Sequence, residues 1–318
     1  MANVTTTYMG LTLPSPVIAA SSRLTQDLDG MKRCEDAGAG AVVMKSLFEE
    51  QIDSDSRHMM QQMDVFSHTD AYDFISHSSK DYYIDAYLEQ LEKAKKALDI
   101  PVIASVNCKH DGSWIEYAHR FEAVGADALE LNVFVVPSHH STTSEEIEQV
   151  YYDILSKVRK KVSIPIALKI GSHFSAMAQV FSRLDELGAD ALVLFNRFYK
   201  SDIDIDRMAL KAGPIISVEE ETALSLQWTA LTAQLLSCDI CANTGIHDGE
   251  TVIKHLLAGA SSVQICSAMM KQGHGVIGDM NHRLGQWMDE HDFEGINAFR
   301  GKLSRDAEET APVWERSQ

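Results

Sequence analysis

Asp239–Met270, DICANTGIHDGETVIKHLLAGASSVQICSAMM, is the stretch whose reading decides the fold. It divides into strand, tight turn, helix, tight turn and strand. Asp239–Asn243 is a short run ending at the turn pair Thr244-Gly245. Asp248 is placed to cap a helix whose apolar residues Val252, Ile253, Leu256 and Leu257 recur at helical spacing. Gly259 stops that helix, and Ser262–Cys266 reads as a second buried strand running into Ser267-Ala268. Small residues directly after two successive strands leave backbone N–H groups free where helices begin, which suits a phosphate. In a (β/α)8 barrel the turns after strands 7 and 8 form such a site, so the segment predicts six earlier strand–helix units.

Six further runs answer to that count: Pro16–Ser21, Ala41–Ser46, Pro101–Asn107, Ala128–Val133, Pro165–Ile170 and Ala191–Asn196. Most are continuous apolar runs, as expected of parallel strands covered on both faces. Helical patterns fill the gaps at 25–37, 81–98, 114–124, 144–160, 175–187, 219–237 and 248–258. A weak echo recurs where helix gives way to strand: Ala37-Gly38-Ala39, Gly125-Ala126-Asp127, Gly188-Ala189-Asp190 and Gly259-Ala260. The expected fold is α/β, a single (β/α)8 TIM barrel over residues 1–318 with insertions after strands 2 and 6. The insertion 47–80 holds Glu49, Glu50, Met59, Met60, Met63, His68 and His77, and a lid, a decorative insertion or an oligomer contact accounts for it. The second insertion is 197–218. Met1–Leu13 is expected to form a hairpin plugging the barrel, and the chain from about 276 onward reads as amphipathic helix.

Composition excludes several classes. A formal charge of −18 argues against a nucleic-acid surface. No apolar run approaches the ~20 residues of a membrane helix, and the N-terminus lacks a signal peptide's pattern. The five cysteines, Cys34, Cys108, Cys238, Cys241 and Cys266, are scattered. Cys238 and Cys241 form a CxxC with no second ligand pair, so two buried thiols in a reducing cytoplasm are expected and no metal.

Chemistry belongs at the C-terminal strand ends, which hold Ala20-Ser21-Ser22, Lys45-Ser46, Asn107, Asn132, Lys169, Asn196 and the turns at Thr244-Gly245 and Cys266-Ser267. Buried polar groups cost free energy unless paired, so two lysines and three asparagines on interior strand ends point to a bound polar molecule. A flavin fits chemically: a lysine offsets negative charge on the reduced ring, and asparagines match the pyrimidine edge and ribityl chain. A sugar phosphate, or a Schiff base at a lysine, remains open on these residues alone.

With PSPVIAAS, AVVMKS, ASVN, ALELNV, IALKI and ANTGIHDGETVIKHLLAGASSVQICSA together, the chain resembles the dihydroorotate dehydrogenase family over nearly its whole length. The resemblance implies an FMN-binding barrel. By position, Ala20 and Ser21 would contact the flavin ring with Lys45 and Ser46 beside it. Asn107 and Asn132 would bind the ring or substrate edge, Lys169 would face the N1 side, and Asn196 would approach the substrate or ribityl chain. Ser217, Thr244, Gly245, Cys266 and Ser267 would surround the phosphate.

The departures fall in the substrate half. Dihydroorotate-oxidising members carry a Cys or Ser base in a segment like LNxSCPN. Here Leu131-Asn132-Val133-Phe134-Val135-Val136-Pro137 puts Val135 at that position, and valine removes no proton. The family's N-x-x-G-L-x-N loop has no counterpart in 64–80, and Gly213-Pro214-Ile215-Ile216-Ser217 replaces its Gly-rich segment. This pattern resembles the dihydroorotate dehydrogenase-like branch. His139, flanked by Ser138, His140 and Ser141, is a candidate proton donor by its ordinary pKa near ~6.5, and His77 is a weaker one.

The expected activity is FMN-dependent hydride transfer between a CH–CH bond of a small polar substrate and flavin N5. Lys45, Lys169, Asn132 and His139 are the catalytic candidates, and dihydroorotate or another dihydropyrimidine of pyrimidine metabolism is the nearest substrate. The alternatives are an aldolase-like lyase using Lys169 or Lys45, and a flavin-binding protein without dehydrogenase activity. Quinone-coupled members carry an N-terminal membrane-associating extension, whereas barrel sequence here begins near Met1. The resemblance therefore implies a soluble electron acceptor or partner protein, and a homodimer.

Overall fold

The structure is a computed structural model and describes residues 2–50, 69–108, 111–197, 200–305 and 311–315. Its centre is a closed ring of parallel strands: β1 (Val17–Ala19), β2 (Ala41–Val43), β3 (Val102–Asn107), β4 (Ala128–Asn132), β5 (Ile166–Ile170), β6 (Ala191–Leu194), β7 (Asp239–Asn243) and β8 (Ser262–Ile265). Each pairs with its neighbour in chain order, and the β8–β1 and β2–β3 pairings complete the closure. The ring is the (β/α)8 barrel that the strand runs predict. Around it lie α1 (Leu28–Asp36), α2 (Thr69–Ala97), α3 (Asp111–Val124), α4 (Ser144–Arg159), α5 (Met177–Glu186), α6 (Thr222–Thr232), α7 (Gly249–Ala258), α8 (Ser267–Gln272) and α9 (Val276–Glu290).

The glycine echo has a single physical cause. Gly38, Gly125, Gly188 and Gly259 all have positive φ. At each, the glycine N–H bonds the carbonyl three residues back and the following alanine N–H bonds the one five back, as in Gly259 to Leu256 and Ala260 to His255. This paired C-terminal cap requires the left-handed residue that glycine supplies without strain. Asp127 and Asp190 act next. Their carboxylates accept the first N–H of β3 (Val102) and of β5 (Ile166), each at 2.7 Å, and each pairs with a cation from the preceding helix, Lys95 or Arg159. Each helix end is thus tied to the base of a strand.

Small interior residues on adjacent strands, Ala128, Ala167 and Ala191, leave room at the barrel base. Tyr8, Met9 and Leu13 of the hairpin Thr6–Tyr8/Leu11–Leu13 fill it, as expected. Between sheet and helices a second, larger apolar layer seals the outside.

Three details differ from expectation. β2 ends at Val43, not Ser46, because the chain breaks from the ladder and rejoins at Leu47–Phe48 beside Val106–Asn107 of β3. α2 starts at Thr69, so residues 69–80 of the first insertion are helix; Met59, Met60, Met63 and His68 lie outside the described residues, as does the side chain of His77. The second insertion contains an antiparallel ribbon, Ser201–Asp204 with Ala209–Ala212, and Cys238 is half-buried rather than buried.

Candidate functional site

The polar strand ends surround two adjoining cavities at the C-terminal mouth of the barrel. The first, about 180 Å³, is floored by Lys169 and Gln264 and walled by Ala20, Ser21, Asn196 and Cys266. Thr244, Gly245, Ser217 and Ser267 close its far side. Thr244 and Gly245 both have left-handed backbone, at φ 77° and 76°. The Thr244 hydroxyl and the Asn243 amide hold that turn by donating to the Phe195 carbonyl at 3.1 and 2.9 Å. A Cβ on Gly245 would stand 2.2 Å from the Thr222 backbone nitrogen, so this close approach to the start of α6 admits glycine alone.

Ser217, 50 positions before Ser267, is brought to it by the loop ahead of α6. Its N–H donates to Ser267 Oγ at 2.9 Å, and its carbonyl accepts from Lys271 Nζ at 3.0 Å. Its hydroxyl meets His247 Nε2 at 3.1 Å. Burial, with Lys271 adding to it, pushes the His247 pKa below its ordinary value, which favours the neutral ring.

The floor is charged. Lys169 Nζ donates to Gln264 Oε1 at 3.0 Å and stands 3.8 Å from Glu130 Oε1, while Gln264 Nε2 donates to the other Glu130 oxygen. All three side chains are buried. Glu130 and Gln264 were absent from the sequence-based site. Their signal is nevertheless present: Glu130 lies two residues before Asn132 and Gln264 two before Cys266, so alternation puts each pair on one face. Lys169 is thus held between a carboxylate and an amide oxygen at the bottom of the cavity.

The second cavity is larger, about 520 Å³. Asn107, Asn132 and Asn196 meet beside it: Asn107 Nδ2 donates to the Asn132 carbonyl at 2.8 Å, and Asn196 Nδ2 to Asn132 Oδ1 at 2.6 Å. The rest of its wall is mostly apolar, with Phe48, Trp114, Phe134, Val135, Val150 and Ile154. Val135 therefore does reach the mouth, at the position where the resemblance calls for a base. Arg197, which the sequence reading passed over, lines both cavities.

Two expected residues stand apart. His139 and His140 are exposed and stack on each other with centroids 4.8 Å apart, and His139 Nδ1 bonds Ser141 Oγ at 2.7 Å. Neither lines a cavity at the mouth. Lys45 lines a separate cavity with Gln26, Asp27, Tyr83, Tyr87 and Gln90, because it follows the break after Val43 and is no longer held in the β2 ladder. Ser46, its neighbour, remains connected: its N–H donates to Ser21 Oγ at 2.8 Å and its hydroxyl bonds those of Ser21 and Ser105 at 3.0 and 2.7 Å.

The family model described as "Dihydroorotate dehydrogenase" matches residues 3–288. The "Dihydroorotate dehydrogenase B (NAD(+)), catalytic subunit" of Thermoplasma volcanium is 26% identical over 95% of this chain and 98% of its own length. The protein of the same name from Methanocaldococcus jannaschii is also 26% identical, over 85% of this chain and 89% of its own. "Dihydropyrimidine dehydrogenase (NADP(+)), chloroplastic" of Arabidopsis thaliana is 22% identical over 94% of this chain and 76% of its own. With a family match spanning the whole barrel, on which the buried lysine and the glycine turn share one cavity, this chain belongs to the dihydroorotate dehydrogenase family.

Proposed function

We propose that the chain is an FMN-dependent oxidoreductase acting on a CH–CH bond of a small polar substrate. The observation that supports this most is one cavity joining a phosphate-sized cradle to a buried ammonium: Ser217, Thr244, Gly245 and Ser267 at one side, Lys169 at its floor. These residues fit FMN on chemistry as well as position. The Gly245 approach leaves backbone donors uncovered by any Cβ, two hydroxyls lie beside them, and Lys271 adds a cation one turn into α8.

When bound, the flavin supplies the two-electron acceptor at N5. Ser217, Thr244, Gly245, Cys266 and Ser267 would hold its phosphate end. Ala20, Ser21 and Ser46 would shape the ring's bed, while Asn107, Asn132 and Asn196 would present amides to the ring and substrate edges. Lys169 would offset the negative charge of the reduced ring, its position set by Gln264 and Glu130. For the accompanying proton, Cys108 and Glu50 are the groups able to exchange one among the described residues lining the second cavity. Lys45 would act from its own neighbouring cavity, and His139 from outside both.

The relatives' names bring further proposals: a dihydropyrimidine such as dihydroorotate as substrate, and a separate electron-transfer partner protein. The five free thiols fit a reducing cytoplasm. The ribbon's exposed apolar residues Ile203, Met208 and Leu210 fit a homodimer contact. The test is anaerobic titration of the purified protein with dihydropyrimidines and related reduced heterocycles, followed in the flavin's visible band. Bleaching is the expected result, and Lys169→Ala should slow it by at least about tenfold. A colourless protein that FMN does not reconstitute would end the oxidoreductase reading, and unchanged reduction in Lys169→Ala would remove that residue's role.

A further inference from the structure

We infer that Arg197 is an anion receptor, and that the second cavity takes an organic acid whose carboxylate meets this guanidinium while an apolar or aromatic body lies against Trp114, Phe134 and Val135. The guanidinium is fixed from behind. Its Nε stands 3.2 Å from both Glu221 oxygens, and Nη1 donates to the Pro214 and Ile215 carbonyls at 2.9 Å each. Arginine has five N–H donors, of which Nε and Nη1 provide three. The two on Nη2 have no partner among the described residues, although the side chain is only 17% exposed and lines both cavities.

The charge also favours an anion. Glu221 is shared between Arg197 and the more exposed Lys200, whose Nζ lies 3.1 Å from Oε1, so this carboxylate alone does not neutralise both cations, and Glu50 is the other acid among the described residues lining the cavity. A planar fork already held in place matches a carboxylate and loses little freedom on meeting one. In the lining of the same cavity, Trp114, Phe134 and Val135 offer apolar surface. The cavity, about 520 Å³, is shared with the flavin edge that Asn107, Asn132 and Asn196 would meet, so its lining rather than its size bears on the occupant. Together these select an acid with an apolar body over a neutral pyrimidine.

The inference rests on the oxidoreductase reading only in taking the bound acid to be the substrate. The test uses the purified holoprotein and two probe pairs, cinnamate with cinnamamide and orotate with uracil, titrated against tryptophan emission and the flavin band. The wild type should bind cinnamate at least about tenfold more tightly than its amide, the worth of a charged hydrogen bond. Arg197→Gln should bring that ratio near unity with the amide unchanged. Arg197→Lys, which keeps the charge without the fork, should fall between and guards against loss of the loop. Equal binding of acid and amide by the wild type overturns the inference, as does absence of binding by any probe at millimolar concentration. A ratio that survives in Arg197→Gln does the same, and so does loss of flavin from that variant with the ratio intact, which would assign the guanidinium to the cofactor. A protein that holds no flavin yet shows the acid preference in tryptophan emission would keep the anion site and lose the oxidoreductase reading.

Discussion

Replacing Glu130 with glutamine isolates what the buried carboxylate does for Lys169. The Glu130 Oε1 atom is buried with no hydrogen-bond partner in the structure, and Lys169 Nζ is 3.8 Å away. The pair is therefore coupled by charge, with Gln264 bridging through its amide. At an effective dielectric of about 20, unit charges at 3.8 Å attract by about 4 kcal/mol. Glutamine preserves shape and leaves Gln264 able to reorient, so the hydrogen bonds are largely replaced and the charge loss remains. Leaving one partner of a buried pair alone typically costs about 3–5 kcal/mol. Glu130→Gln should thus destabilise the fold by about 3 kcal/mol, read from the urea midpoint where fluorescence and circular dichroism transitions coincide. Adding Lys169→Met should restore most of it, because no isolated charge then stays buried. The holoprotein supplies a second readout: an ammonium freed of its counter-charge favours the reduced anionic ring, so the flavin potential should rise. A cost under about 0.5 kcal/mol, in the range of surface substitutions, would refute the coupling. A double variant whose losses merely add would refute it too.

Gly245→Ala should lose about 1–3 kcal/mol from its left-handed backbone alone, and more from a Cβ placed 2.2 Å from Thr222 N; the flavin retained per chain after gel filtration should fall with it. His255 is wholly buried against Thr222 Oγ1 at 2.9 Å, and burial depresses its pKa from 6.5 to about 3. The unfolded chain therefore binds a proton below pH 6.5 that the native state refuses until about pH 3, so stability falls as pH drops through that window. The slope this one group contributes approaches about 1.4 kcal/mol per pH unit. In His255→Gln the stability–pH curve should be shallower by that amount between those limits, and an unchanged curve would exclude the residue as its source.

The sequence by itself determined the barrel. Continuous apolar runs, glycine–alanine helix stops and the capped helix at Asp248 are local signals, each readable within a dozen residues. The structure has Asp248 Oδ1 accepting the Thr251 N–H at 2.7 Å, the cap those residues predict. The glycine turn and Lys169 were legible for the same reason, since a positive-φ pair and a lysine in an apolar strand are conspicuous alone. What only the tertiary structure decided was which polar groups share a space. Glu130 and Gln264 meet although 134 positions apart, because β4 and β8 face each other across a closed ring. Strand alternation tells which face a side chain takes and says nothing of what stands opposite. Lys45 left the shared site once β2 broke at Val43, and the loops carrying Val135, His139 and Arg197 obey no periodicity at all. Arg197 entered the site through contacts with Glu221 and the Pro214 and Ile215 carbonyls that exist only after the barrel has closed, whereas His139 stayed outside, bonded to Ser141 in its own loop.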